Sequence, residues 1–188
     1  LKQDKNNLSF MIIASVSENK DLEKRISITP EISKKYINLG FEVNLSQNYG
    51  AHLGFSDSEY KELGVKIVDN ENQILETADI IIQMSMLNKN KTSILKSNQT
   101  VIGVLNPYEN KKILDDLIKQ KINLFSLDML PRITRAQSMD ILSSQANLAG
   151  YKAVIESFAN FGKAIPMMMT AAGTVPAAKV LVVGAGVA

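Results

Sequence analysis

The stretch 79–84, Asp-Ile-Ile-Ile-Gln-Met, is a short apolar run rich in β-branched residues. Similar runs occur at 10–16, 42–45, 65–68, 100–105 and 123–126. Segments of helical character separate these runs and predict helices from Thr29-Pro30 to about Gly40, and over 57–63, 70–76 and 110–120. Strands that alternate with helices are typical of parallel βαβ units. The sequence therefore predicts an α/β fold with a Rossmann-like N-terminal lobe built on a parallel sheet.

Composition narrows the range of functions. With 188 residues, 45% of them hydrophobic, the chain is long enough to bury one complete core. A net charge of +2 is too small to indicate nucleic-acid binding or a polybasic membrane patch. The absence of Cys and the single His argue against a zinc site. No signal-peptide pattern is present, and no apolar run approaches the roughly 18 residues that cross a bilayer, so we expect this segment to be soluble and cytoplasmic.

Beyond Pro131 the pattern changes to one long helical segment. Thr134 and Gln137 fit a capping box, and no Pro follows before Phe161, which predicts a connecting helix over 134–162. A polar stripe runs along its first turns, made of Gln137, Asp140, Ser143 or Ser144, and Asn147. For an arbitrary helix such a stripe is a solvated face. Gln137 could serve only as the capping partner of Thr134, and Asp140 could only favour the helix N-terminus by charge.

The run 179–183, Lys-Val-Leu-Val-Val, predicts a buried strand that leads into Gly184-Ala185-Gly186-Val187-Ala188. A strand followed by Gly-x-Gly-x-x is the front of a dinucleotide fingerprint, whose glycines let the backbone approach a pyrophosphate. Alone this partial match is weak, because such glycines also serve tight turns. We interpret the run as the first strand of a second Rossmann NAD-binding lobe. The predicted domains are an N-terminal domain over 8–131, the interdomain helix over 134–162 and the start of the NAD-binding domain over 163–188.

Several motifs together resemble the alpha subunit of proton-translocating NAD(P) transhydrogenases. They are the stretches 131–140 (Pro-Arg-Ile-Thr-Arg-Ala-Gln-Ser-Met-Asp), 143–151, 170–176 and 184–188. Upstream, the stretches 24–30 and 50–57 are similar to the N-terminal domain that transhydrogenases share with alanine dehydrogenases. The resemblance implies two α/β lobes with NAD(H) between them. It also implies hydride transfer from NADH to NADP⁺ held by a separate beta component, coupled to proton movement across the membrane.

The resemblance also implies the site residues. Arg132, Gln137, Asp140 and Ser143 match the residues around the nicotinamide end of NAD(H), and Gly184 and Gly186 match the glycine loop that holds the diphosphate. Hydride transfer between two nicotinamides needs no general base or nucleophile, only groups that fix the orientation and distance of the rings.

The family further implies a beta-subunit partner, a homodimer of alpha and a place at the cytoplasmic face of the inner membrane, with membrane contact only through the rest of the complex. The sequence begins without Met and ends within a motif, so we expect it to belong to a longer chain, to be inactive alone and to bind NADH very weakly. We also expect its residues from Val180 onward to be poorly packed.

Two other functions stay open. The first is an NAD-dependent amino-acid dehydrogenase of the alanine dehydrogenase type, in which a Lys-x-Lys pair and a His would stand where Gln83, Ser85 and Asn106 are found. Without an acid-base residue, reductive amination would lose a factor of about 10² to 10⁴. Arg25, which matches a ligand of the substrate carboxylate, is retained in both families and does not discriminate. The second is a regulatory module that senses NADH without transferring hydride.

Overall fold

The computed structural model describes residues 11–186 of the chain. These form two compact units that divide between Met129 and Leu130. The predicted start of the first domain at residue 8, and Phe10 at the head of the first predicted strand, lie outside the described residues, as do Val187 and Ala188.

The first unit is built on a six-stranded, all-parallel sheet, in the order β3-β2-β1-β4-β5-β6. The strands are β1 (Ile12–Ser15), β2 (Glu42–Ser46), β3 (Lys66–Val68), β4 (Ile80–Gln83), β5 (Thr100–Gly103) and β6 (Asn123–Ser126). This is the strand order of the Rossmann fold, in which the direction of winding reverses between β1 and β4. The predicted α/β fold with a parallel sheet is confirmed, and all six predicted strands form.

Five helices connect the strands, namely α1 (Pro30–Asn38), α2 (Asp57–Glu62), α3 (Glu71–Thr77), α4 (Lys89–Thr92) and α5 (Lys111–Lys119). Four of them were predicted. Their starts follow the expected capping chemistry: the Ser56 hydroxyl accepts from the Glu59 N–H at 3.2 Å, before α2. The sequence did not predict α4, because its single turn, Lys-Asn-Lys-Thr, has no apolar periodicity.

The two faces of the sheet carry separate apolar clusters, because neighbouring residues of a strand point to opposite sides. On one face Ile13 packs with residues such as Val43 and Tyr60, and on the other Ala14 packs with residues such as Leu75. Helices therefore cover both faces, as in a doubly wound domain. This core fixes the carboxyl ends of β1, β4 and β5 side by side.

The second unit contains a 3₁₀ helix (Thr134–Met139), the long helix α6 (Ile141–Asn160) and an antiparallel hairpin of β7 (Met168–Thr170) and β8 (Gly173–Val175). The prediction that the long helix begins at Thr134 is wrong. Asp140 is its N-cap, with a side chain that accepts from the Ser143 N–H, whereas the 3₁₀ helix has no side-chain cap.

The run 179–183 does not form the predicted buried strand. Its apolar side chains are exposed, to 87% for Leu181 and 91% for Val183. A strand needs a neighbour that accepts and donates its backbone hydrogen bonds, and no strand among residues 11–186 pairs with this run. The expectation of poor packing from Val180 onward is confirmed for residues 180–186, the described part of that segment. None of the helices within the described part of the chain is both long and apolar enough to span a membrane.

Candidate functional site

A cavity of about 500 Å³ opens where the carboxyl ends of β1, β4 and β5 meet in the first unit. This is the winding reversal of the sheet, where ligands of open α/β sheets bind. The carboxylate of Glu18, just after β1, reaches across it to the residues that follow β4. One Glu18 oxygen, Oε1, accepts from the N–H of Met84 at 2.7 Å and of Ser85 at 3.3 Å, and the other accepts from the Ser85 hydroxyl. Glu18 was not predicted from the sequence, because bonds across 66 residues leave no local pattern.

Gln83 is buried at the end of β4 and completes this network. Its side-chain oxygen accepts from the Ser15 hydroxyl at 2.7 Å and the Val16 N–H at 2.9 Å, while its amide nitrogen donates to the Val16 carbonyl and to Glu18. All the hydrogen-bonding positions of this amide are therefore used within the protein. Gln83 and Ser85 act here as parts of the frame and carry no titratable group.

Arg25 and Asn106 also line this cavity, and each is hydrogen-bonded to a nearby glutamate. Arg25 makes a two-pronged contact with Glu23, from Nε at 2.8 Å and from Nη2 at 2.6 Å, which lowers the pKa of the Glu23 carboxyl. Asn106 has a left-handed backbone, with φ of 44°, and its side-chain amide donates to Glu109 at 2.5 Å. A left-handed conformation is uncommon for a residue with a side chain, although Asn tolerates it better than most. The cavity thus offers a neutral amide at position 106.

The second unit holds the predicted site. Its cavity of about 580 Å³ is lined by Arg132, Ile133, Thr134, Gln137, Asp140, Ser143 and Ser144. Four of the six residues that the resemblance implied, Arg132, Gln137, Asp140 and Ser143, therefore share one cavity. The family resemblance implied these four residues as a set. Ser144 was named only as an alternative to Ser143, and both line the wall.

Asp140 organises this cavity. Its Oδ1 accepts from the Ser143 N–H at 2.9 Å, its Oδ2 accepts from the Ser143 hydroxyl at 2.6 Å, and its backbone carbonyl accepts from the Ser144 hydroxyl at 2.9 Å. The hydrogen bond from the Ser143 side chain is the main cause that lowers the pKa of Asp140, and the positive charge of Arg132 acts in the same direction. Asp140 is therefore an ionised helix cap that also faces the cavity.

Gln137 does not cap the long helix. It lies in the 3₁₀ helix, where it is exposed and where its backbone carbonyl accepts from the Asp140 N–H at 3.2 Å. The capping box with Thr134, which was the simplest structural explanation of Gln137, is absent from this segment. The polar stripe is also shorter than predicted, because only Ser143, Ser144 and Asn147 of it belong to α6.

The two glycines lie at a different place in the second unit. Gly184 and Gly186 line a cavity of about 620 Å³ with Asn147, Gly150, Tyr151, Ala153 and Val154 of α6 and with Val182 and Val183. Gly184 has φ of 104°, a conformation that strongly favours glycine. The structure thus supports a tight turn at Gly184 but does not bring the glycines into the cavity that contains Asp140.

Comparison with known proteins finds two family domains that meet within α6, beyond the boundary between the two compact units. Residues 15–149 match the family described as alanine dehydrogenase/PNT, N-terminal domain, and residues 153–188 match the C-terminal domain of the same family. The chain is 43% identical over 183 residues to a protein of Rhodospirillum rubrum named as the first part of NAD(P) transhydrogenase subunit alpha. The aligned residues make up 95% of this chain and 48% of that protein. Over 145 residues it is 29% identical to "Alanine dehydrogenase 1" of Staphylococcus aureus. Those residues make up 77% of this chain and 38% of that protein.

The chain is also similar in structure to a transhydrogenase. The transhydrogenase of Sinorhizobium meliloti superimposes with a TM-score of 0.86 at 40% identity, over 94% of this chain and 52% of that one. The chain thus spans about half the length of these two transhydrogenase chains. The resemblance to transhydrogenase alpha subunits is confirmed by the higher identity to that group. With a match over 135 of its residues to the N-terminal domain, from 15 to 149, the chain belongs to the alanine dehydrogenase/PNT family.

Proposed function

We propose that this chain is the NAD(H)-binding part of a proton-translocating transhydrogenase. In this proposal hydride passes from NADH, bound in part by the cavity around Asp140, to NADP⁺ held by a beta component, and the transfer is coupled to proton movement. The alpha chain would form a homodimer and would sit at the cytoplasmic face of the inner membrane. Gly184 and Gly186 would approach the diphosphate of NAD(H).

One observation carries the proposal. Arg132 of a loop, Gln137 of the 3₁₀ helix, and Asp140 and Ser143 at the start of α6 line one cavity. They supply a cation, an amide, a carboxylate and a hydroxyl that can hold a polar ring substituent. This composition suits hydride transfer, for which the protein supplies orientation and the nicotinamides supply the chemistry.

The experiment uses the complete alpha chain that carries this sequence, assembled with its beta component. After rapid mixing with NADH and NADP⁺, we expect NADPH to form in a single turnover. Binding of NADH without NADPH formation would reject hydride transfer and favour a module that only senses the nucleotide.

An amino-acid dehydrogenase is the second candidate, since the family includes alanine dehydrogenases. The first-unit cavity argues against it. The side chains of Gln83 and Ser85 are committed to Glu18, and that of Asn106 is committed to Glu109. We expect the complete chain to produce no NADH above background from alanine and NAD⁺. Appreciable alanine-dependent NADH production would favour the dehydrogenase instead.

A further inference from the structure

The loop that follows β1 forms one side of the first-unit cavity. Its lining residues are Ser17, Glu18, Asn19, Leu22, Glu23 and Arg25. Because this cavity lies at the winding reversal of the sheet, the loop stands beside the place where open α/β sheets bind their ligands. The way in which the loop is attached to the rest of the first unit therefore decides whether it is a fixed wall or a movable cover.

Both ends of this loop are fixed to other segments. At the first end, the Ser17 N–H donates to the Glu71 carboxylate of α3 at 3.0 Å, and the Glu18 carboxylate is bonded to the residues that follow β4. At the second end, the Lys24 backbone carbonyl accepts from Nε2 of His52 at 2.7 Å. The two ends of the loop thus have defined positions and can act as hinges.

The tip of the loop, residues 19–23, is bonded only to itself and to Arg25. The Leu22 and Glu23 N–H groups both donate to the Asn19 carbonyl, at 2.9 and 2.8 Å, and the Asp21 N–H donates to the Asn19 side chain at 3.1 Å. Within residues 11–186, the hydrogen bonds and ion pairs of the tip extend no further than Arg25. The tip can therefore turn about its ends without breaking a hydrogen bond to the sheet or its helices.

Closure of the tip over the cavity would bury the exposed side chain of Leu22. Leu22 lines the cavity and is 85% exposed, whereas Leu87 lines the same cavity and is 4% exposed. Removal of apolar surface from water is favourable, so an inward turn that covers Leu22 lowers the free energy of the closed state. The conformation seen in the structure keeps the mouth of the cavity open.

We propose that residues 19–23 are a lid that closes over the first-unit cavity when the complete chain binds NAD(H), with Leu22 packed into the cavity mouth. The inference rests on the proposed function, which supplies NAD(H) as the ligand, and adds a conformational step to it. A lid of this kind excludes water while hydride is transferred and opens to release the nucleotide. Its hinges lie between Glu18 and Asn19 and between Glu23 and Lys24.

The test uses the complete alpha chain with one cysteine in the lid. The 188-residue sequence has no Cys, so Leu22→Cys places a single thiol there once any Cys elsewhere in the complete chain has been replaced by Ser. Cys behaves as a small apolar side chain and keeps part of the contact of Leu22. We expect saturating NADH to slow modification of this thiol by a maleimide about tenfold, because the closed lid protects it. The matched control is Leu39→Cys, at the 73% exposed C-cap of α1, whose rate should not change.

A second measurement tests the role of Leu22 itself. In calorimetry, Leu22→Asp should raise the Kd for NADH by about fivefold, because a carboxylate opposes burial in the closed lid, while the Tm stays unchanged. Leu39→Asp should leave the Kd unchanged. NADH binding that leaves the modification rate of Leu22→Cys or the Kd of Leu22→Asp unaltered would overturn the lid and leave the proposed function intact. Absence of NADH binding to the complete chain would reject the proposed function and the lid together.

Discussion

The two units of the chain treat their apolar side chains differently. In the first unit, Leu75 and Ile81 are fully buried between the sheet and its helices. In the second, Ala136 is the one buried apolar residue among those described, and Leu148 and Tyr151 of α6 are 58% and 70% exposed. The same kind of apolar periodicity thus gives a core in one unit and an exposed helix face in the other. Periodicity predicts the face of an element but does not show what covers it.

The side-chain hydrogen bonds of the two units differ in how far apart their partners lie in the sequence. In the first unit they connect distant segments, as Glu18 does with Met84 across 66 residues. Side-chain hydrogen bonds in the described part of the second unit connect residues three or four positions apart. The Asp140 cavity is therefore held by its own short motif, whereas the first-unit cavity depends on the whole sheet. Substitutions in the first unit should accordingly have larger effects on the free energy of unfolding, and those in the second unit should have smaller, local effects.

The largest effect is expected in the core of the first unit. Leu75→Ala should lower the free energy of unfolding of the 188-residue chain by about 2–5 kcal/mol, because it leaves a cavity in a fully buried cluster. Leu181→Ala removes the same atoms from a side chain that is 87% exposed, and should change the free energy by less than about 0.5 kcal/mol. Urea unfolding measures both. Equal losses would show that the run 179–183 is packed after all.

A smaller and local effect is expected at the start of α6. Asp140→Ala removes the acceptor for the Ser143 N–H, so hydrogen exchange of that amide should quicken by roughly tenfold. Gln137→Ala should leave the same amide unchanged, because Gln137 makes no cap bond. Exchange detected by NMR distinguishes the two variants. Faster exchange in Gln137→Ala would revive the predicted capping box.

The smallest effect concerns the Glu23–Arg25 pair. The pKa of Glu23 lies below its ordinary value of 4.5 in the folded chain, chiefly because Arg25 donates to its carboxylate. The pair therefore stabilises the fold above that ordinary value, and the contribution disappears as the pH falls through the lowered pKa. Because the Arg25 side chain is about half exposed, we expect the pair to contribute less than about 1 kcal/mol.

In Glu23→Gln, the unfolding free energy should be less pH-dependent below neutrality than in the wild type. Glu62→Gln, at an exposed position of α2, serves as the matched control. Urea unfolding between pH 3 and pH 7 measures all three proteins. A pH dependence that is unchanged in Glu23→Gln would show that Arg25 does not stabilise the ionised carboxylate.

The sequence predicted the parts of this structure that depend on local pattern. The six strands of the sheet have short runs with apolar residues, and the residues of the Asp140 cavity lie within a motif of 13 positions, 132 to 144. It did not predict the true start of α6, since Thr134 and Gln137 match a capping box as well as Asp140 matches a cap. It also did not predict Glu18, whose partners are brought to it only by the pairing of β1 with β4.

The proposed function requires above all that Gln137 and Asp140 orient the nicotinamide ring and are more than a polar helix surface. Single-turnover hydride transfer from NADH in the complete alpha chain with its beta component, measured beside thermal unfolding, tests this requirement. We expect Gln137→Asn and Asp140→Asn to slow the transfer by about tenfold or more with little change in Tm, because the reacting carbon loses its alignment while contacts elsewhere keep the nucleotide bound. Wild-type rates in both variants would refute this role and leave the polar stripe as a solvated surface.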